Sequence, residues 1–146
     1  MKRAVLVGCG VMGARWAKTL GTSPLLERVS LVGLVDVDEA VARSVQQENA
    51  LANAVVGTNL EAVLATSAPD VVFDVAVPSV RRDVVLTAFR HGCDVLTEKP
   101  MAASLQDAKD ILDAARTSGR LHAVTQNRRF KESIRRIRRA LASGVI

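Results

Sequence analysis

Tyrosine is missing from this 146-residue chain, and aromatic residues of all kinds make up only 3% of it. No phenol is available as a general acid, and few rings exist on which nucleic-acid bases could stack. The two cysteines, Cys9 and Cys93, are too few for a disulfide framework or a metal-ligand cluster. Each sits beside a glycine next to a predicted strand and reads as a small buried filler, and no metal site is expected. Long apolar runs are absent as well. Although 49% of the residues are hydrophobic, charges break them into segments far shorter than a membrane span. Met1-Lys2-Arg3 leads directly into Ala4 to Gly8, without a secretory apolar region or cleavage site. The expectation is a soluble, cytoplasmic protein with no membrane partner, free of repeats and low-complexity segments.

The formal charge of +5 has a local origin. Residues 127–146 hold Arg128, Arg129, Lys131, Arg135, Arg136, Arg138 and Arg139 against the single acid Glu132, so the rest of the chain is close to neutral. On a helix, Ile134, Ile137 and Leu141 form one apolar stripe and Arg135, Arg136 and Arg139 face away from it. A solvated arginine face is expected here rather than a nucleic-acid site, because no aromatics interleave the basic residues.

Short β-branched runs alternate with helical periodicity from end to end, the pattern of βαβ units around a parallel sheet. Strands are expected at Ala4 to Val7, Val29 to Val35, Val55 to Val56, Val71 to Val77, Asp94 to Thr97 and Leu121 to Thr125. The third is short, which suits a sheet edge. The first helix presents Gly13, Ala17 and Leu20 on one face; a later one presents Leu105, Ala108, Leu112 and Ala115, opened by a Ser104/Asp107 capping box and closed by Gly119. The fold class is therefore α/β: a doubly wound, mostly parallel six-stranded sheet with helices on both faces. Residues 1–126 form the dinucleotide-binding unit and 127–146 a basic closing helix.

Within that pattern, Gly8-Cys9-Gly10-Val11-Met12-Gly13 follows the first strand and opens the first helix. Asp36 answers it at the end of the second strand, about 20 residues further on, which completes the context of a dinucleotide fingerprint. Gly8 permits the tight turn, Gly10 lets backbone approach a pyrophosphate, and Gly13 lets helix and strand pack closely. The first N–H groups of the helix are free to bind phosphate. A carboxylate at Asp36 accepts from ribose hydroxyls but repels a 2′-phosphate, and Val37 offers no compensating charge. This favours NAD over NADP, unless Arg43 or another residue folds nearby to offset the acid. Asp38 reads as the cap of the following helix.

Glu98-Lys99-Pro100 ends the fifth strand, where ligands of such sheets sit. Proline restricts its predecessor to extended conformations, so Lys99 leaves the strand on a constrained backbone. Short-chain dehydrogenases pair a lysine with a tyrosine, which this chain lacks. Instead, the glycine loop, Ala76-Val77-Pro78-Ser79, Glu98-Lys99-Pro100-Met101-Ala102 and Gln126-Asn127-Arg128-Arg129-Phe130, in that order, resemble the N-terminal Rossmann domain of the glucose-fructose oxidoreductase / inositol dehydrogenase / MocA family.

The resemblance implies that Lys99 is the catalytic-site lysine, bonded to the reacting oxygen, and that Glu98 and Pro100 line the nicotinamide end. It implies that Val77, Pro78 and Ser79 belong to the loop under the cofactor and that Arg128 faces the cleft. The family commonly has a histidine where this chain has Arg82, and neither His91, at a helix end, nor His122, inside a strand, replaces it. It further implies a second α/β domain carrying substrate contacts, a catalytic histidine and aspartate, and an oligomer interface, none of which is in this sequence. Expected is the cofactor half of an NAD-dependent oxidoreductase acting on a sugar, cyclitol or related polyol, homo-oligomeric and active only at full length. A non-catalytic dinucleotide sensor of the same fold is the alternative.

Overall fold

The computed structural model describes residues 1–22 and 24–144; Ser23, Val145 and Ile146 lie outside the described residues. The apolar runs and helical periods become alternating elements. In order these are β1 (Lys2–Val7), α1 (Val11–Thr22), a 3-10 turn (Pro24–Glu27), β2 (Val29–Val35), α2 (Glu39–Glu48), β3 (Val55–Gly57) and α3 (Leu60–Ser67). Then follow β4 (Val71–Asp74), α4 (Pro78–Arg90), β5 (Asp94–Thr97), α5 (Leu105–Ser118), β6 (His122–Val124), a second 3-10 turn (Asn127–Phe130) and α6 (Glu132–Ala142). All strand pairings are parallel, in the order β3-β2-β1-β4-β5-β6. The order reverses between β1 and β4, the switch point over which a dinucleotide lies in this fold. The short third strand takes an edge, as expected.

Alternation along β1 divides the core into two. Ala4 and Leu6 pack with Ala17, Leu20 and Ala42 on the α1–α2 side, while Val5 and Val7 pack with Val63, Val85, Phe89 and Ile111 on the α3–α4–α5 side. Both cysteines are buried, Cys9 in the first layer and Cys93 in the second. Asp38 and Asn59 cap α2 and α3, and Ser104 caps α5 by accepting the Asp107 N–H at 3.0 Å while its hydroxyl donates to the Asp107 carboxylate. Gly119 closes α5 at φ +65°.

Two sequence expectations are corrected. β4 ends at Asp74, not Val77. The Asp74 carboxylate accepts the Ala76 N–H at 3.0 Å and turns the chain toward α4, and Val75-Ala76-Val77 is apolar because it lines a cleft. The inner face of α5 is centred on Ile111, with Ala114 and Ala115 beside it, whereas Leu105 and Leu112 are 73% and 44% exposed. In that rotation Asp110 of α5 meets Arg82 of α4 at 2.6 Å, with Asp107 4.0 Å away.

α6 stands apart from both layers. None of its residues is buried: Ile134, Ile137 and Leu141 are exposed, and Arg136 and Arg139 pair with Glu132 on the helix itself. Among the described residues no helix is long and apolar enough to cross a membrane.

Candidate cofactor cleft and active site

Beyond the carboxyl ends of β1, β2 and β4 lies a cleft of about 500 Å³, lined by Gly8, Gly10, Val11, Met12, Gly13, Asp36 and Val37 after β1 and β2, by Val75, Ala76, Val77, Val80 and Val84 after β4, and by Thr58 and Leu60 after β3. The glycines build it by close approach. Gly8 has φ +87°, and a Cβ there would meet the Ala76 nitrogen at 2.7 Å. A Cβ on Gly13 would stand 1.9 Å from the Gly8 carbonyl oxygen, so only glycine lets α1 begin so near the strand. At Gly10 a Cβ would meet no protein atom within 4 Å, because that face opens into the cleft. These features fit a dinucleotide: a backbone cradle at a helix N-terminus, with room at Gly10 for a pyrophosphate.

Asp36 is oriented by two backbone donors, the Cys9 N–H at 2.7 Å and the Asp38 N–H at 3.1 Å. Cys9 thus serves the site through its amide. Its thiol is buried under the loop, and burial, reinforced by the Asp36 charge, pushes it up to about 12. Arg43, the residue that could have received a 2′-phosphate, is bonded by two of its nitrogens to Glu39 at 2.8 and 2.5 Å.

Glu98, Lys99 and Pro100 follow β5, outside the lining of that cleft and beyond β4 from it. The Glu98 N–H donates to the Asp74 carbonyl at 2.8 Å, and its carboxylate accepts from Trp16 Nε1 at 3.2 Å and from the Lys99 N–H at 3.2 Å. The Lys99–Pro100 peptide is cis, and the Pro100 carbonyl accepts from Arg81 Nη1. Lys99 itself is exposed and forms no ion pair or side-chain hydrogen bond among the described residues. Pro78 begins α4 with Ser79 exposed behind it, Val77 lies in the cleft wall, and Arg128 is exposed in the turn after β6, away from the cleft lining.

Sequence reasoning missed three side chains. Asp74 and Arg81 are 0% and 1% exposed and form an ion pair of 2.9 Å. Burial pushes the Asp74 carboxyl up, against the opposing pull of Arg81 and the Ala76 N–H. An acid closing an apolar strand covered on both faces requires a buried partner, and that was the available signal. Trp16 packs its ring against Phe73 at 5.5 Å while its Nε1 reaches Glu98, a contact across 82 residues that no local pattern announces.

The residues that depart from the family pattern are occupied elsewhere. Arg82 bonds Asp110 at 2.6 Å and Asp83 at 2.9 Å. His91 caps α4 and faces Glu61 at 3.6 Å. His122 sits edge-on to Phe89 and 3.3 Å from the Thr97 hydroxyl. A second hollow, of about 480 Å³, lies against α6 and is lined by Arg129, Phe130, Arg135, Arg138, Arg139 and Ala142; it contains none of the candidate site residues. No group of three metal-ligating side chains occurs among the described residues.

The family model of an oxidoreductase family with an NAD-binding Rossmann fold, Gfo/Idh/MocA, matches residues 2–126. The chain belongs to this family. Inositol 2-dehydrogenase 2 of Saccharopolyspora erythraea is 30% identical over 97% of the chain and 41% of its own length. Among solved structures, myo-inositol 2-dehydrogenase from Lactobacillus plantarum superposes with a TM-score of 0.89 at 23% identity, covering 99% of this chain and 42% of that one. GenD2 from gentamicin A biosynthesis, solved in complex with NAD, superposes with a TM-score of 0.77 at 30% identity, covering 90% and 36%. The chain therefore spans about two fifths of the length of the relatives it matches. In this Gfo/Idh/MocA domain the glycine loop and Asp36 line the cleft beyond β1 and β2, and Glu98-Lys99-Pro100 follows β5 outside that lining.

Proposed function

We propose that this chain is the cofactor half of an NAD-dependent oxidoreductase that moves hydride between nicotinamide and a sugar, cyclitol or related hydroxyl/carbonyl substrate. The observation that carries the proposal is Lys99: an exposed ammonium without an anionic partner among the described residues, at the carboxyl end of β5, its neighbours Glu98 and Pro100 tied to Asp74 and Arg81. Asp36, fixed by two amides, receives the adenosine ribose, and the first turn of α1 with Gly10 receives the pyrophosphate. When bound, NAD supplies the hydride acceptor. Val77, Pro78, Ser79, Glu98 and Pro100 border its nicotinamide end. Lys99 Nζ donates to the substrate oxygen and stabilises the negative charge that develops there as hydride leaves or arrives. Residues 1–126 act as the cofactor unit, and 127–146 lead toward a substrate domain of the size the relatives possess. The inositol dehydrogenase names among the relatives support a polyol substrate. The engagement of Arg43 by Glu39, and a cleft lining that holds no lysine or arginine among the described residues, support NAD over NADP.

Calorimetric titration of the chain with NADH and NADPH tests the cofactor assignment. NADH is expected to bind at least about tenfold more tightly, the equivalent of one well-placed charge interaction. Binding of neither at about millimolar concentration overturns it. Reductive methylation followed by peptide mapping tests Lys99: NADH is expected to protect it and ADP-ribose is not. Equal labelling in the presence of both ligands argues for a dinucleotide sensor without a catalytic lysine.

A further inference from the structure

The buried pair Asp74–Arg81 is larger than its structural task of ending β4 requires. The guanidinium distributes its donors over three elements. Nε holds Asp74 at 2.9 Å, Nη2 holds the Ala76 carbonyl at 2.7 Å, and Nη1 holds the Pro100 carbonyl. Asp74 reciprocates in both directions: its carboxylate takes the Ala76 N–H and its carbonyl takes the Glu98 N–H. Ala76 lines the cleft, and Glu98 and Pro100 flank Lys99. One buried cation and one buried anion therefore connect the loop after β4 to the loop after β5.

A surface tie would have sufficed to stabilise the two loops, and burying both charges carries a desolvation cost that the pair only partly recovers. What the arrangement supplies is geometry. Arg81 meets neither the cleft nor solvent, so it cannot touch a ligand, yet it fixes the residue after Lys99 while Asp74 and Trp16 fix the residue before it.

We infer that Arg81 is a positioning residue for Lys99 and for the nicotinamide end of the cleft, acting through Asp74, Ala76 and Pro100. The inference rests on the cofactor reading above. Because Asp36 at the end of β2 takes the adenosine half, the other half of the dinucleotide extends across the switch point toward β4 and β5. Loosening Arg81 should therefore be felt by the nicotinamide half alone.

The test compares NADH with ADP-ribose, which lacks the nicotinamide, in wild type, Arg81→Met, Arg81→Lys and Trp16→Phe. Arg81→Met is expected to weaken NADH about tenfold while ADP-ribose stays within about twofold, because only preorganisation of the nicotinamide end is lost. Arg81→Lys, able to restore one bond of the three, recovers part of the difference. Trp16→Phe approaches the same loop from the less buried side, keeps the pair intact and preserves folding should Arg81→Met fail to fold; a loss of about threefold in NADH alone is expected. A parallel fall of both ligands in Arg81→Lys and Trp16→Phe shows a general structural role and overturns the inference, as does an unchanged ratio. If wild type binds neither ligand, the cofactor reading fails first and this inference falls with it.

Discussion

At the β1–β2 end of the cleft, the loop after β1 is held by backbone: glycines whose Cβ positions are sterically filled, and amides donating to a half-buried Asp36. At the β4–β5 end, the loops are held by side chains, an ion pair excluded from solvent and a tryptophan reaching a glutamate. The first kind of construction fails through shape, because any side chain at Gly8 or Gly13 collides with main chain. The second fails through charge, because removing either partner leaves the other desolvated. The two ends should therefore respond differently to substitution.

The largest effect is expected where charge is stranded. Asp74→Ala leaves the Arg81 guanidinium buried without its anion and should cost about 3–5 kcal/mol of folding free energy, read as a shift of the urea midpoint. A change below about 1 kcal/mol would mean that water reaches the pair, and the distinction between the two ends would collapse. Gly13→Ala comes next. Its Cβ would lie 1.9 Å from the Gly8 carbonyl, so α1 must shift at its first turn; a stability loss of about 1–3 kcal/mol is expected, and NADH binding should be lost with it. Retained NADH affinity in that variant would show that the cradle tolerates displacement and that shape is not what holds this end.

Arg82 sharpens the comparison because it is the sequence neighbour of Arg81 and bonds carboxylates equally directly. It differs in exposure, with 38% of its side chain accessible against 1% for Arg81. Solvent already satisfies what Arg82 would lose, so Arg82→Ala should move the melting temperature by about 2 °C or less, with NADH affinity unchanged. A shift comparable to that of Asp74→Ala would show that the rotation of α5 over α4, and not burial of charge, dominates the stability of this half.

The two ends also differ in how far the sequence reveals them. Gly8, Gly10, Gly13 and Asp36 are read directly from spacing, because their roles are local: a turn, a close approach, a helix start, an acid at a strand end. The six strands follow from apolar runs for the same reason. Asp74–Arg81 and Trp16–Glu98 are not local. Their meaning arises once β4 lies beside β5 and α1 lies over Phe73, so the same letters could equally have faced water. The end of β4 was hidden because a cleft wall and a buried strand use the same apolar residues. The face of α5 was hidden because two leucines at helical spacing outweighed the single isoleucine that packs.

The smallest expected effect separates the ends by pH. His122 lies behind the β4–β5 end, half-buried against Phe89 and near Thr97, and burial, assisted by the positive charge of Arg81, pushes its pKa below 6.5. The folded state thus disfavours the imidazolium that the unfolded chain accepts at its ordinary pKa. As the pH falls from 6.5 through the lowered folded value, the unfolded chain binds more protons and stability declines; above 6.5 the contribution is fully present. At the other end, Cys9 is raised to about 12 and contributes no titration in this range. Urea midpoints measured between about pH 7.5 and pH 5 should therefore fall in wild type and fall less in His122→Gln, with the difference confined to the window below 6.5. Equal slopes in the two proteins would mean that His122 is hydrated in both states and that the β4–β5 end is less closed than its ion pair requires.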